Sequence, residues 1–298
     1  MLFTNLKRGS FAKDPAVVRF KGVYYLYYTI KYSDEPFMIG VGIARSTDME
    51  AWEDIAELPH TDECEKNGTG APAAIVLGGR VHLFYQTYGN GRRDAICHAV
   101  SDDGVHFEKD ASNPVFRPGD DWCSGRAIDA DVCPFGGKLF LYFATRDHEM
   151  AVQKVGCAYA LLDSDFSRAA WTQAVPQSIL APELKWEGRC IEAPATVENN
   201  GRIFMFYGGS YNCTPQQIGC AVSDDGVFFR RIFTEPFLAN GRPGSWNSSE
   251  SGHPYAFRDE DGKVYLFYQG SADMGKTWYL SKAEIGFDES NVPFIITD

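Results

Sequence analysis

Five segments of the chain repeat one pattern, and this repetition constrains the fold more than any other feature. Each segment has a proline or alanine anchor, a few apolar residues, a glycine-containing turn and an aromatic-rich stretch. The segments are DPAVVRFKGVYYLYYT (14–29), APAAIVLGGRVHLFYQT (71–87), DADVCPFGGKLFLYFAT (129–145), APATVENNGRIFMFYGG (193–209) and HPYAFRDEDGKVYLFYQG (253–270). Their anchors, Pro15, Pro72, Ala130, Pro194 and Pro254, are 57, 58, 64 and 60 residues apart. Such regular spacing is typical of repeat architectures.

Each repeat continues with a second strand pattern and a polar turn. Asp-Asp-Gly turns at 102–104 and 224–226 supply the positive φ that a hairpin needs, and apolar and polar residues alternate beside them. One repeat is too small to bury both faces of its sheet alone, so radial packing of five sheets is the best solution. The sequence therefore predicts an all-β, five-bladed β-propeller that forms a single domain over residues 1–298. A β-sandwich is the structural alternative, but it does not explain a repeat that keeps its register along the chain.

Charge and hydropathy exclude several classes of partner. The formal net charge is −12, with 28 Lys and Arg against 40 Asp and Glu, which would repel nucleic-acid phosphates and anionic lipid. No stretch approaches the 18 apolar residues of a membrane span. The N-terminus contains no secretory signal pattern, so a cytoplasmic location is expected unless a leader has been removed. We therefore expect neither nucleic acid nor membrane as a partner, and the sequence carries no signal for an oligomeric state.

The eight cysteines are scattered without a Cys-x-x-Cys pair, which argues against a zinc site. We expect most of them to be reduced and buried, while an even number leaves disulfides open for an exported protein.

Equivalent positions of the repeats carry the residues of interest. The innermost strands of a propeller line its central channel, so these positions form a ring near one mouth. The position before the anchor is occupied in turn by Asp14, Ala71, Asp129, Ala193 and His253, and Glu192 lies one place earlier in the fourth repeat. Three carboxyl groups and an imidazole in one ring are costly to desolvate unless they are used. This pattern predicts a catalytic site.

Purely structural roles are the alternative for some of these residues. An Asp before Pro, such as Asp14, commonly caps its own backbone in a turn. Asp131 competes with Asp129 in the third repeat, since it lies two residues further along the same side of the strand. Counting back from Gly137 places Asp129 level with Asp14, so we favour Asp129.

A ring of carboxyl groups suits glycoside hydrolysis. That reaction needs one protonated carboxyl group to donate to the leaving oxygen, and one ionised group to activate water or attack the sugar. Mutual repulsion within the ring raises the pKa of one group while its partners stay charged. Glu192 has the longer side chain and is expected to be the acid, and Asp14 holds water on the opposite face of the sugar. This arrangement predicts inversion of configuration.

Aromatic residues near the channel are candidate platforms for sugar rings, although each one singly is more often part of the packing. The candidates are Phe37, Tyr88, Trp122, Trp186, Tyr211 and Trp246. Arg126 is expected to bind a sugar hydroxyl or the third-repeat acid, with a surface ion pair as the alternative. The segment 271–278 is similar to the Asp-box turn of sialidases, and we interpret it as a brace for a hairpin.

The chain resembles glycoside hydrolase family 43 and, less closely, the related family 32. The resemblance covers essentially the whole chain and rests on Lys-Asp-Pro (13–15), Ala-Ile-Asp-Ala (127–130) and Ile-Glu-Ala-Pro (191–194), each with its following aromatic strand. It implies a five-bladed propeller, with Asp14 as general base, Glu192 as general acid, and Asp129 as the group that orients the acid and keeps it protonated. It also implies that His253 lies at the channel, near a water or a structural calcium.

The expected activity is an inverting glycosidase acting on α-L-arabinofuranosyl or β-D-xylosyl linkages of plant oligosaccharides or polysaccharides, with no cofactor required for the chemistry. A retaining, family 32-like β-fructosidase is the enzymatic alternative, supported by the stretch at 101–116. A glycan-binding propeller without catalysis is the second alternative.

Overall fold

Five four-stranded antiparallel sheets make up the computed structural model, which describes residues 1–119 and 121–297. Blade one contains β1 (Lys13–Phe20), β2 (Val23–Asp34), β3 (Phe37–Ser46) and β4 (Glu53–Glu57). Blade two contains β5 (Thr69–Leu77), β6 (Arg80–Thr87), β7 (Ile96–Ser101) and β8 (Glu108–Lys109). Blade three contains β9 (Ile128–Phe135), β10 (Lys138–Arg146), β11 (Gln153–Leu161) and β12 (Thr172–Gln173). Blade four contains β13 (Ile191–Asn199), β14 (Arg202–Gly209), β15 (Gln217–Ser223) and β16 (Arg230–Arg231), and blade five contains β17 (Glu250–Arg258), β18 (Val264–Ser271), β19 (Tyr279–Phe287) and β20 (Pro293–Ile295).

The five sheets form a closed ring. The first strand of each sheet packs against the first strand of the next, and β17 returns to contact β1. The segment before β1 fastens this closure, because Phe3 forms an antiparallel bridge with Leu280 and Phe11 a parallel bridge with Trp278. The predicted all-β, five-bladed propeller is therefore confirmed.

Buried tyrosines of the aromatic repeat join neighbouring blades. Tyr27 and Tyr142 are fully buried in the second strands of blades one and three. Their hydroxyl groups donate at 2.8 Å to the backbone oxygens of Gly104 and Gly226, which lie in the hairpins of the following blades. A buried tyrosine hydroxyl needs such a partner, so the aromatic pattern serves both the core and the packing between blades.

Each innermost strand contains a bulge at the repeat position identified from the sequence. The pairing register shifts there in all five blades. The residues before the anchors, Asp14, Ala71, Asp129, Ala193 and His253, have φ values of 50°, 41°, 50°, 49° and 41°. Residues other than glycine rarely adopt this left-handed conformation, and bulges of this kind redirect side chains beside active sites. The five positions are thus equivalent in backbone geometry as well as in sequence.

Helical structure in the described part of the chain is limited to single turns. These are 3₁₀ helices at Leu6–Arg8, Glu63–Glu65, Gly91–Arg93, Arg168–Ala170 and Lys185–Glu187. Among residues 1–119 and 121–297 no helix has the length and apolarity to cross a membrane. All eight cysteines are free thiols, and six of them are buried.

Candidate active site

A pocket of about 430 Å³ opens at the mouth of the channel formed by the five innermost strands. Asp14, Asp129, Glu192 and His253 all line it. Below these residues the channel narrows to a space of about 20 Å³ between the anchor prolines, which admits no more than about one water molecule. The pocket is therefore closed at its base, and the four ring residues lie at its deep end.

His253 connects two of the carboxylates directly. Its Nδ1 lies 2.8 Å from Asp14 Oδ1, and its Nε2 lies 3.0 Å from Glu192 Oε1. Burial alone would lower the pKa of His253, but the two carboxylates raise it well above its usual value. The imidazole is therefore protonated: its Nδ1 forms an ion pair with Asp14, and its Nε2–H donates a hydrogen bond to Glu192.

Asp14 and Glu192 are both ionised in this arrangement. Burial opposes ionisation of Asp14, but the charges of His253 and Lys13 hold its pKa below the usual range. Burial also opposes ionisation of Glu192, and hydrogen bonding to His253, the charge of that imidazolium and a hydrogen bond from Gln216 lower the pKa of this group too. Ionised Asp14 matches the state that a general base requires.

Asp129 is the carboxyl group of the ring whose pKa is raised. Its carboxyl group is buried, and within residues 1–119 and 121–297 its Oδ2 has no hydrogen-bond partner. Burial raises the pKa of Asp129 to about 7; His253 opposes this rise, whereas the negative charges of Glu192 and Asp14 add to it. Carboxylate oxygens of Asp129 and Glu192 lie within 4.8 Å of each other, so the two groups titrate as a pair that carries one proton below pH about 7. The proton expected on Glu192 is therefore shared between Glu192 and Asp129 in the free site.

Asp131 faces away from this pair. It accepts a hydrogen bond at 2.8 Å from the backbone N–H of Thr196, and a second one from the hydroxyl group of the same residue. Asp131 thereby joins blades three and four below the pocket. The structure thus places Asp129, and not Asp131, beside Glu192, as the register of the repeat predicts.

Side chains from neighbouring blades hold the bulged backbone. The N–H of Asp129 donates to Gln86 Oε1 at 2.7 Å, and the N–H of Asp14 donates to Gln269 Oε1 at 3.2 Å. The N–H of His253 donates in the same way to Gln216 Oε1 at 3.2 Å. Each of these acceptors comes from the preceding blade in the ring, so the positions of Asp14, Asp129 and His253 depend on the neighbouring blade.

Glu192 is oriented by a chain of hydrogen bonds that sequence reasoning missed. Gln216 Nε2 donates to Glu192 Oε1 at 2.6 Å, and Gln153 Nε2 donates to Glu192 Oε2. Arg146 Nε donates to Gln153 Oε1 at 2.7 Å, which fixes the amide with its nitrogen toward Glu192. Glutamines and one arginine at the edges of blades carry no sequence signal that distinguishes them from solvated surface residues.

Three of the six candidate aromatic platforms line the pocket. Phe37 is 44% exposed, and its ring meets Tyr88 edge-on with centroids 5.9 Å apart. Tyr211 lines the pocket on the opposite side, where its ring lies under the Arg146 guanidinium, 5.3 Å from centroid to carbon. Trp278 also lines the pocket, and it was not among the candidates.

The other three candidates pack against blades instead, and their assignment as platforms is corrected. Trp122, Trp186 and Trp246 lie across Gly156, Gly209 and Gly270, where a Cβ atom would collide with each indole ring. Trp186 also stacks on Tyr207, and its Nε1 donates to Thr234 O at 3.0 Å. These strand positions require glycine because a side chain would collide with the indole ring that covers each of them.

Arg126 lines the pocket as half of a buried ion pair. Its Nε lies 3.3 Å from Asp94 Oδ2, and both side chains are at least nine-tenths buried. Arg126 therefore does form an ion pair, as the alternative interpretation expected, but the pair is buried and does not lie at the surface. The positive charge of Arg126 acts on Asp129 and slightly opposes the rise in the pKa of that group.

The Asp-box segment braces a hairpin, as interpreted from the sequence. Asp273 Oδ1 accepts from the N–H groups of Lys276 and Thr277 at 3.1 and 2.9 Å, and Ser271 Oγ donates to it at 2.9 Å.

Comparison with known families agrees with the carboxyl groups found in the pocket. Residues 8–286 match the model of the glycosyl hydrolases family 43. The chain belongs to this family. A thermostable family-43 glycoside hydrolase superposes with a TM-score of 0.76 at 20% identity, covering 99% of this chain and 96% of that chain. An endo-1,4-β-xylanase from Bacteroides thetaiotaomicron superposes at 0.71 with 18% identity, covering 96% and 94%. An α-L-arabinofuranosidase from Lactobacillus brevis superposes at 0.71 with 16% identity, covering 95% and 93%.

No curated protein sequence matches the chain. At these identities the solved structures support the fold, and the family match places the chain among the glycoside hydrolases.

Family 43 enzymes need no cofactor for their chemistry. The calcium expected near His253 does not fit the side chains found here. A metal-binding histidine needs a neutral ring with a free nitrogen, whereas both nitrogens of His253 contact carboxylates. Asp129, Glu192 and His253 do converge within 4.8 Å, but the imidazolium already supplies the positive charge that a cation would bring.

Proposed function

We propose that this family 43 member is an inverting glycosidase that releases α-L-arabinofuranosyl or β-D-xylosyl units from plant oligosaccharides or polysaccharides. One observation carries the proposal: Asp14, Asp129, Glu192 and His253 converge in one pocket, where His253 contacts both Asp14 and Glu192 and burial raises the pKa of Asp129 to about 7. The named activities of the xylanase and the arabinofuranosidase with the same fold support these two pentoses as first substrates to test.

The proposed roles follow from the protonation states. Asp14 is the general base, because it stays ionised and can accept a proton from water that attacks the sugar. Glu192 is the general acid, and the proton that it shares with Asp129 is the one delivered to the leaving oxygen. The imidazole of His253 lies between Asp14 and Glu192, so the two carboxylates do not contact each other directly. An inverting mechanism requires separated carboxyl groups, about 6.5–9.5 Å apart, so that water can enter.

The experiment is hydrolysis of a matched panel. Nitrophenyl α-L-arabinofuranoside, nitrophenyl β-D-xyloside, a fructan and the corresponding short oligosaccharides are incubated with the wild-type protein and with Asp14→Asn. The proposal expects release of pentose by the wild type alone. Release of fructose supports the retaining fructosidase instead, and binding of glycans without release of any sugar supports the non-catalytic alternative.

A further inference from the structure

The pocket is more basic than the chain that builds it. Its lining contains four basic residues, Lys13, Arg126, Arg146 and His253, against three acidic ones, whereas the whole chain has 40 acidic residues against 34 Lys, Arg and His. A neutral pentose needs no such excess of positive charge, because its hydroxyl groups are recognised by neutral donors and acceptors as well.

Two of these cations do not contact the carboxyl groups directly. His253 already contacts Asp14 and Glu192, Asp129 is protonated below pH about 7, and Arg126 is paired with Asp94. Within residues 1–119 and 121–297, neither Lys13 Nζ nor the Arg146 guanidinium has a carboxylate oxygen within 4.0 Å. Both side chains are only partly buried, so both retain donors that a bound molecule can reach.

Aromatic rings and one short segment hold these two cations at the pocket. Lys13 Nζ lies 4.5 Å from the centroid of Trp278, and the Arg146 guanidinium lies over Tyr211. With the Asn212 amide oriented so that its nitrogen donates to Glu250 at 2.6 Å, its oxygen accepts from Lys13 Nζ at 3.2 Å. Tyr211 and Asn212 are adjacent, so one segment of blade four connects both cations.

We propose that the pocket binds oligosaccharides that carry a uronic acid, with the sugar carboxylate bound along the rim formed by Lys13, Tyr211, Asn212 and Arg146. This inference rests on the proposed function and specifies its substrate class. Charge-assisted hydrogen bonds to a carboxylate are about twice as strong as neutral ones, so this rim favours an acidic sugar over its neutral counterpart. The excess negative charge of the chain disfavours the same ligand elsewhere on the surface.

The test compares ligands that differ only in one charge. One pair of probes is xylotriose substituted with glucuronic acid and the same oligosaccharide with its carboxyl group reduced to an alcohol. The second pair is trigalacturonic acid and its methyl ester. Dissociation constants are measured by calorimetry in the Asp14→Asn background, so that the probes stay intact and binding is read independently of hydrolysis. We expect at least one acidic probe to bind about tenfold more tightly than its neutral partner at low salt.

Two variants separate the rim from general electrostatics. Lys13→Met should lower the acidic-to-neutral affinity ratio about fivefold to tenfold. Lys138→Met is the matched control, because Lys138 also lies over a tyrosine ring, 4.0 Å from the centroid of Tyr159, but outside the pocket lining. In the parent protein, raising the salt concentration from 50 to 500 mM should reduce the ratio as well, and this measurement needs no substitution at the rim.

The inference is overturned if the acidic and neutral members of both probe pairs bind equally. It is also overturned if Lys13→Met and Lys138→Met lower the acidic-to-neutral affinity ratio by the same factor. Failure of the proposed function has a different signature, since it is the absence of hydrolysis of every glycoside by the wild-type protein, whatever the affinity ratio.

Discussion

Gln86 of blade two accepts a hydrogen bond at 2.7 Å from the backbone N–H of Asp129 in blade three. The contact holds the backbone of Asp129, whose φ is 50°, and therefore sets the direction in which its carboxyl group points from the bulge. An unpaired buried N–H costs about 1–3 kcal/mol, so this one amide stabilises the packing of two blades and also the geometry of the site.

Replacing Gln86 tests this coupling. Gln86→Leu should lower the free energy of unfolding by about 1–3 kcal/mol and reduce kcat, since Asp129 loses its fixed position. Gln86→Glu keeps an acceptor oxygen but adds a negative charge beside Asp129, so the pKa of the Asp129–Glu192 pair should rise. Urea denaturation and the pH dependence of kcat/KM measure the two effects. A Gln86→Leu protein with unchanged stability and kcat would show that the contact is incidental.

The position of the ring residues could be predicted from the sequence, whereas the contacts that hold them could not. The repeat identifies Asp14, Asp129 and His253 because they occupy one register position, and the bulge places all three at the channel. Gln86 and Gln216 contact the ring from other blades, and a contact between distant segments leaves no periodic signal along the chain. The three tryptophans were wrongly assigned as sugar platforms for a related reason. A loop tryptophan that covers a strand glycine cannot be told from one that faces the channel by its local sequence.

The pH dependence of activity should report the proton shared by Asp129 and Glu192. Activity should fall as the pH rises through about 7, where the pair loses this proton, since burial raises the pKa of Asp129 to about 7. In Asp129→Asn, Glu192 titrates alone with its lowered pKa, so the alkaline limb should move to lower pH and kcat should decrease.

Asp131→Asn is the matched control for this shift. Asp131 lies in the same strand, and burial raises the pKa of its carboxyl group to about 7 as well, against the opposing hydrogen bonds from Thr196. Its contacts are with Thr196, so the variant should lose stability but keep the alkaline limb of the wild type. If the alkaline limb moved in Asp131→Asn but not in Asp129→Asn, Asp131 and not Asp129 would be the residue that shares the proton with Glu192.

Removal of the proposed acid should nearly abolish turnover. Glu192→Gln should reduce kcat on natural glycosides by about 10²–10⁴-fold, the usual contribution of general acid catalysis. Substrates with an activated nitrophenol leaving group should lose less, because they need less protonation. Glu198→Gln, at the outer end of the same strand, is the control for a carboxylate that does not line the pocket. Full activity of a folded Glu192→Gln protein on a poor leaving group would remove Glu192 from the mechanism.

His253→Ala should weaken both folding and catalysis. The substitution leaves Asp14 and Glu192 buried without their shared cation, and breaking such a buried pair costs about 3–5 kcal/mol. The folded-state pKa of His253 is raised, so its contribution to stability is complete below the unfolded value near 6.5 and is lost as the pH rises through the folded value. Urea denaturation of both proteins across the pH range should therefore show the largest difference near pH 6.

Activity of His253→Ala gives an independent readout of the same contact. Without the imidazolium, the pKa of Asp14 should rise, and the acidic limb of the pH profile should move to higher pH. An acidic limb at the wild-type position would contradict the direct pairing of these two side chains.

The stereochemistry of the first product tests the central claim most directly. Proton NMR follows the anomer released from an arabinofuranosyl or xylosyl oligosaccharide before mutarotation, with Asp14→Asn as the inactive reference. Activation of water by Asp14 predicts that the inverted anomer is released first. Initial release of the retained anomer would contradict this account and make Asp14 a nucleophile.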